Sequence, residues 1–70
     1  MGKRIAIIGG GNLGTAIAEG LLKSGFCVAA DLTITKRNVN TLLHFQEQGV
    51  QVSSDNTAAA AGAEIVILAV

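Results

Sequence analysis

The run Gly9-Gly10-Gly11-Asn12-Leu13-Gly14 sets three glycines at the spacing G-x-G-x-x-G. Such a spacing binds; it does not catalyse. Gly9 permits a tight turn out of a strand. Gly11 lets the backbone approach a pyrophosphate with no Cβ between them, and Gly14 lets the following helix pack closely on a sheet. The free N–H groups and the positive dipole end of that helix then face the anion. A P-loop is excluded, because no Gly-Lys-Ser/Thr follows at the required distance. The chemistry indicated is the binding of a dinucleotide. Asp31 and the pair Lys36-Arg37 bear on which one. An acid at the end of the second strand bonds the ribose hydroxyls of NAD, whereas a basic group there accommodates the 2′-phosphate of NADP.

These residues need elements to hold them. Ile5-Ala6-Ile7-Ile8 is a short, continuous apolar run ending at a glycine, as in a strand buried on both faces. From Leu13 the period changes. Leu13, Ile17 and Leu21 recur every fourth residue, with Glu19 and Lys23 opposite, which predicts an amphipathic helix capped by Gly25. Gly14, Ala18 and Gly20 are the small residues expected to face the sheet. The second strand has two possible registers. Over residues 26–30 it would end at Asp31 and select NAD. Over residues 32–35 it would end at Thr35-Lys36-Arg37, where two cations and a hydroxyl suit a 2′-phosphate. The β-forming run Thr33-Ile34-Thr35 favours the second register, and with it NADP, while NAD stays possible.

A further helix is expected over about residues 38–48, capped by Asn38 and stopped by Gly49, with Val39, Leu42, Leu43 and Phe45 as its apolar face. Residues 50–52 alternate as a strand. Residues 57–61 form a short alanine-rich helix behind Asp55 and Asn56, both cap candidates, and residues 64–70 form the last strand. Strands that alternate with helices imply a parallel sheet with right-handed crossovers. The fold class is α/β, a Rossmann-type sheet in the order 3-2-1-4. The sequence stops inside an apolar strand, which leads us to expect that residues 1–70 are the N-terminal part of a larger protein.

The chain has 70 residues, half of them hydrophobic, and its formal net charge is zero with five basic and five acidic side chains. That balance gives no electrostatic reason for a nucleic-acid or anionic-membrane partner. No run approaches the ~20 apolar residues of a membrane span, so a soluble, cytoplasmic protein is expected. Cys27 stands alone, which excludes a disulfide framework or a cysteine metal cluster. It reads as a small, semi-buried apolar residue. His44 reads as a partly exposed helix residue.

The segments "IGGGNLGTAIAEGLLKSG", "LTITKR", "GVQVSSDN" and "ILAV" together resemble the N-terminal domain of the pyrroline-5-carboxylate reductase family, across the whole chain. Many members have Met where Leu13 stands. The family's extra loop before its second strand matches residues 26–31. The resemblance implies reduction of 1-pyrroline-5-carboxylate to L-proline, usually with NADPH, by a homo-oligomer whose helical dimerising domain and substrate site lie beyond residue 70. It further implies that the backbone from Ile8 through Gly9, Gly10, Gly11 and Asn12 to Leu13 holds the pyrophosphate. By the same resemblance Lys36 and Arg37 meet the 2′-phosphate, Asn56 the adenosine half, and Ala69 and Val70 the nicotinamide half. No residue of the chain is assigned a catalytic or metal-binding role. Two alternatives remain open: a related NADP-linked reductase of the β-hydroxyacid dehydrogenase-like group, acting on a 3-hydroxy acid or a deazaflavin, or a nucleotide-sensing Rossmann module without chemistry.

Overall fold

Short apolar, mostly β-branched runs form the strands, and each of the first three is followed by a helix that returns the chain to the same end. A computed structural model describes residues 3–9, 11–37 and 42–69. Strand β1 is Ile5–Ile8, helix α1 Asn12–Ser24, β2 Leu32–Thr35, α2 Leu43–Glu47, β3 Gln51–Ser53, α3 Asn56–Ala61 and β4 Ile65–Leu68. A 3-10 turn over Ala29–Asp31 leads into β2. The sheet is parallel throughout, in the order β3-β2-β1-β4. The fold class and strand order are those expected, and β2 takes the 32–35 register.

Residues in register share a face of the sheet. Ile5 and Ile7 align with Leu32 and Ile34 on one side and with Ile65 and Ile67 on the other. This large-residue face forms the core together with Ala18, Leu42, Phe45 and Val50, and Ile17, Leu21 and Leu22 pack against it. Helices α1 and α2 therefore cover it. The opposite face carries Ala6 in line with Thr33 and Val66, then Ile8 in line with Thr35 and Leu68. Alanine-rich α3 packs there against β1 and β2, small residues meeting small residues. Beyond its reach Val66 and Leu68 remain 43% and 70% exposed.

Helix α1 ends as its sequence requires. Gly25 adopts the left-handed conformation at φ 74°. The Gly25 N–H donates to the Leu22 carbonyl at 3.3 Å, and the Phe26 N–H reaches back to the Leu21 carbonyl at 3.2 Å. This crossed pair satisfies carbonyls that a helix end otherwise leaves bare.

Several expectations are corrected in detail. Gly14 and Ala18 are buried against the sheet, but Gly20 is exposed and open space surrounds its Cβ position. Six residues past Gly14, it has rotated off the buried stripe. Leu13 is 58% exposed, so the apolar stripe of α1 begins at Ile17. On α2, Leu42 and Phe45 are buried while Leu43 faces outward. Asn38 and Val39 lie outside the described residues. Strand β3 begins one residue later than expected, because the Val50 N–H still bonds the Phe45 carbonyl of the preceding helix at 3.1 Å. Cys27 is a core residue, 5% exposed. Burial, and then the nearby Asp31 charge, push its thiol above the ordinary range and keep it neutral.

The two α1 glycines make opposite predictions. A Cβ on Gly14 would overlap the Gly9 carbonyl oxygen, which is backbone and has no rotamer to escape through. Gly14→Ala is therefore expected to destabilise by about 1–3 kcal/mol. Gly20→Ala meets nothing, and should stabilise by about 0.5–1 kcal/mol through helix propensity. Urea unfolding of the two variants, read by circular dichroism, measures both signs.

Candidate functional site: a dinucleotide cleft

The carboxyl ends of β1 and β2 converge on the glycine turn. At Gly9 the chain leaves β1 with φ 99°, a region open to glycine and strained for other residues. The Gly9 N–H donates to the Thr35 carbonyl at 3.2 Å and also to Thr35 Oγ1 at 3.3 Å. The Lys36 N–H donates to the Ser53 carbonyl at 3.0 Å, tying the end of β2 to the end of β3. A cleft of about 330 Å³ opens over these strand ends, lined by Ile8, Gly9, Gly11, Thr35, Lys36, Arg37, Ser54 and Asn56.

The electrostatics of the cleft come from backbone and cations. Gly11 is the N-cap of α1, no side chain caps its first-turn amides, and that turn holds no acidic residue. Space is open where a Gly11 Cβ would point. The other helix at the cleft is closed: Asp55 caps α3 by accepting the Ala58 N–H at 3.1 Å. Asp55 takes the capping role, so Asn56 is left as the first helical residue beside the cleft. An uncapped, positively polarised helix start near two cations is suited to phosphate groups.

Asp31 lies elsewhere. It precedes β2, about 16 Å along the strand from Lys36 at the usual rise per residue, and lines a second cleft with Arg4, Thr33 and Gln51. That cleft has the same volume, about 330 Å³. It sits at the amino ends of the strands, whereas open α/β sheets bind ligands at the carboxyl ends. The site is therefore assigned to the glycine-lined cleft.

Of the residues singled out in the sequence, Ile8, Gly9, Gly11, Lys36, Arg37 and Asn56 come together as lining of this cleft. Asn12 and Leu13 form the first turn of α1, and Gly14 is the buried contact beneath it. Ala69 sits on the far side of β1, its N–H bonded to the Ile8 carbonyl at 2.9 Å. Gly10 and Val70 lie outside the described residues. The Thr35 hydroxyl, expected to reach the phosphate, is fully buried and bonded to the backbone. Sequence reading missed Ser54. Its position just past the carboxyl end of β3 is the signal that finds it. His44 is exposed on α2, its ring 4.1 Å from that of Phe45, and takes no part in the cleft. No cluster of metal ligands occurs among the described residues, and none of their helices is long and apolar enough to cross a membrane.

A parallel 3-2-1-4 sheet with a glycine turn at the head of an uncapped helix defines a dinucleotide-binding domain of the Rossmann type. Residues 4–70 match the family described as NADP oxidoreductase coenzyme F420-dependent, and the chain belongs to that family. Within such proteins it is similar to pyrroline-5-carboxylate reductases. It is 41% identical over 69 residues to pyrroline-5-carboxylate reductase 2 of Dictyostelium discoideum, covering 97% of this chain and 23% of that protein. It is 41% identical over 68 residues to the pyrroline-5-carboxylate reductase of Haemophilus influenzae, covering 97% of this chain and 25% of that protein. The solved structure of a pyrroline-5-carboxylate reductase from Coxiella burnetii superimposes with a TM-score of 0.86 at 34% identity, over 100% of this chain and 26% of that one. The chain thus spans about a quarter of the length of these relatives. The family and the relatives imply a pyridine nucleotide cofactor, and the open Gly11 position, the uncapped amides and the two cations fit one.

Gly11→Val tests the cleft. With no neighbour at the Cβ position the variant should still fold, losing about 1 kcal/mol because valine is a poorer N-cap than glycine. The new side chain projects into the space a pyrophosphate needs, so dinucleotide titration by calorimetry should show no binding. Normal binding would place the pyrophosphate elsewhere.

Proposed function

We propose that the protein reduces 1-pyrroline-5-carboxylate to L-proline with NADPH, the last step of proline formation. In this reading residues 1–70 are the N-terminal part of an NADP-binding Rossmann domain. The rest of that domain and a helical dimerising domain lie outside the chain, and the whole is a cytoplasmic homo-oligomer. The similarity to pyrroline-5-carboxylate reductases supports the substrate. The observation that carries the cofactor choice is the pair Lys36-Arg37 on the lip of the glycine cleft, with Asp31 at the other end of β2.

Held in this cleft, NADPH would supply the hydride that reduces the imine, with the proton coming from solvent. What the residues of this chain do is bind and orient. The amides at the start of α1 and the backbone from Ile8 to Leu13 receive the pyrophosphate. Lys36 and Arg37 form charge-assisted bonds to the 2′-phosphate. Asn56 faces the adenosine half, while Ala69 flanks the nicotinamide half. Gly14 keeps the helix start in place. None of these groups moves a proton, so in this scheme catalysis rests on positioning.

A second reading has one observation in its favour, the family description naming coenzyme F420. It makes the hydride partner a deazaflavin. Following NADPH oxidation by the full-length protein, with pyrroline-5-carboxylate in one set of assays and F420 in another, separates the two. Turnover of pyrroline-5-carboxylate is expected; turnover of F420 alone overturns the proposal.

Cofactor choice has its own test. Replacing Lys36 and Arg37 together by Ala should weaken NADPH binding by about 1–3 kcal/mol, the range for lost charge-assisted bonds. NADH binding should barely change, and Asp31→Ala should be silent with both nucleotides. Loss of NADH binding in Asp31→Ala, with the basic pair silent, reverses the assignment.

A further inference from the structure

Among the described residues Thr35 is the one polar side chain that is fully buried, at 0% exposure. A hydroxyl in such surroundings is unfavourable unless it is bonded. Thr35 Oγ1 donates to the Ile7 carbonyl at 3.4 Å and accepts the Gly9 N–H at 3.3 Å. Ile7 lies in β1 and Gly9 opens the glycine run, so both partners are backbone where the chain leaves the strand. Thr35 is also the last residue of β2, and Lys36 and Arg37 follow it directly into the cleft. One buried hydroxyl therefore joins the wall that faces a pyrophosphate to the wall that faces a 2′-phosphate. A valine would fill the same volume without making either bond.

We infer that Thr35 is a positioning residue for the nucleotide: its hydroxyl fixes the Gly9 turn and touches no ligand. The inference rests on the proposed dinucleotide function and goes beyond it. A direct phosphate contact by Thr35 would matter for NADPH alone. A brace on the glycine turn matters for any ligand carrying a pyrophosphate, whatever its 2′ position holds.

The test is calorimetric titration of NADPH and of NADH into the full-length protein and its Thr35→Val and Thr35→Ser variants. The Lys36→Ala/Arg37→Ala variant serves as reference. Thr35→Val is expected to weaken both nucleotides by a similar factor, about 3–10-fold, the range for one or two weak neutral hydrogen bonds. Thr35→Ser should restore both to within about twofold of the parent, since it keeps the hydroxyl. The Gly9 N–H retains the carbonyl of residue 35 in every variant, so folding is expected to survive. Should Thr35→Val not fold, Thr35→Ala read by the same titrations takes its place. Loss of NADPH binding alone overturns the inference in favour of direct phosphate contact. Unchanged binding of both nucleotides overturns it outright. Failure of serine to rescue assigns the effect to the methyl group and overturns it as well. If the parent binds neither nucleotide, the proposed function itself falls, and this inference falls with it.

Discussion

The distance between Gly9 and Gly14 governs the rest of the structure. A strand can pass directly into a helix that lies against its own sheet only if the backbones nearly touch. Here the carbonyl of Gly9 occupies the space that any side chain at position 14 would need. The positive φ at Gly9 then aims the helix. Together these two positions fix where α1 starts, which way its amides point, and how deeply Ala18 sinks into the core. Had either residue carried a Cβ, the helix would lift away and its N-terminus would leave the strand ends.

The two faces of the sheet divide the work. Large aliphatic residues on one face build the core under α1 and α2, and small and hydroxyl residues on the other admit α3 at close range. The helix termini are divided in a similar way. The start of α3 is satisfied internally by the Asp55 carboxylate, so its dipole is quenched within the chain. The start of α1 carries no such carboxylate. In a chain of zero net charge, the local field at the cleft thus comes from the direction of backbone amides and from two adjacent cations, with no broad basic surface.

Much of this was legible in the sequence, and the reasons are physical. Element types followed from pattern: the apolar run Ile5 to Ile8 read as a buried strand, and the four-residue spacing of Leu13, Ile17 and Leu21 as a helix, though Leu13 proved to face outward. The register of β2 was legible too, since β-branched Thr33, Ile34 and Thr35 outweigh the weaker formers before them. What the sequence did not yield was rotation and depth. Whether Gly20 or Leu43 faces inward depends on a few tens of degrees about a helix axis, which tertiary packing sets. Thr35 was the sharper miss in kind. A threonine beside two cations at a strand end looks like a ligand, and only the pairing of β1 with β2 shows that its hydroxyl turns inward to the neighbouring backbone. Ser54 was passed over because a serine in a serine-rich turn carries no signal until the cleft is seen.

Ile5 pairs with Leu32 on one side and with Ile65 on the other. Strand β1 therefore has both edges paired, one to β2 and the other to β4, which lies far along the chain. Until β4 pairs, β1 presents a free row of amides and carbonyls beside fully apolar side chains. Its second edge closes only through a loop comprising nearly the whole chain, a contact of high sequence separation and slow formation. Until that pairing forms, the chain is open to pairing with other chains at this apolar strand.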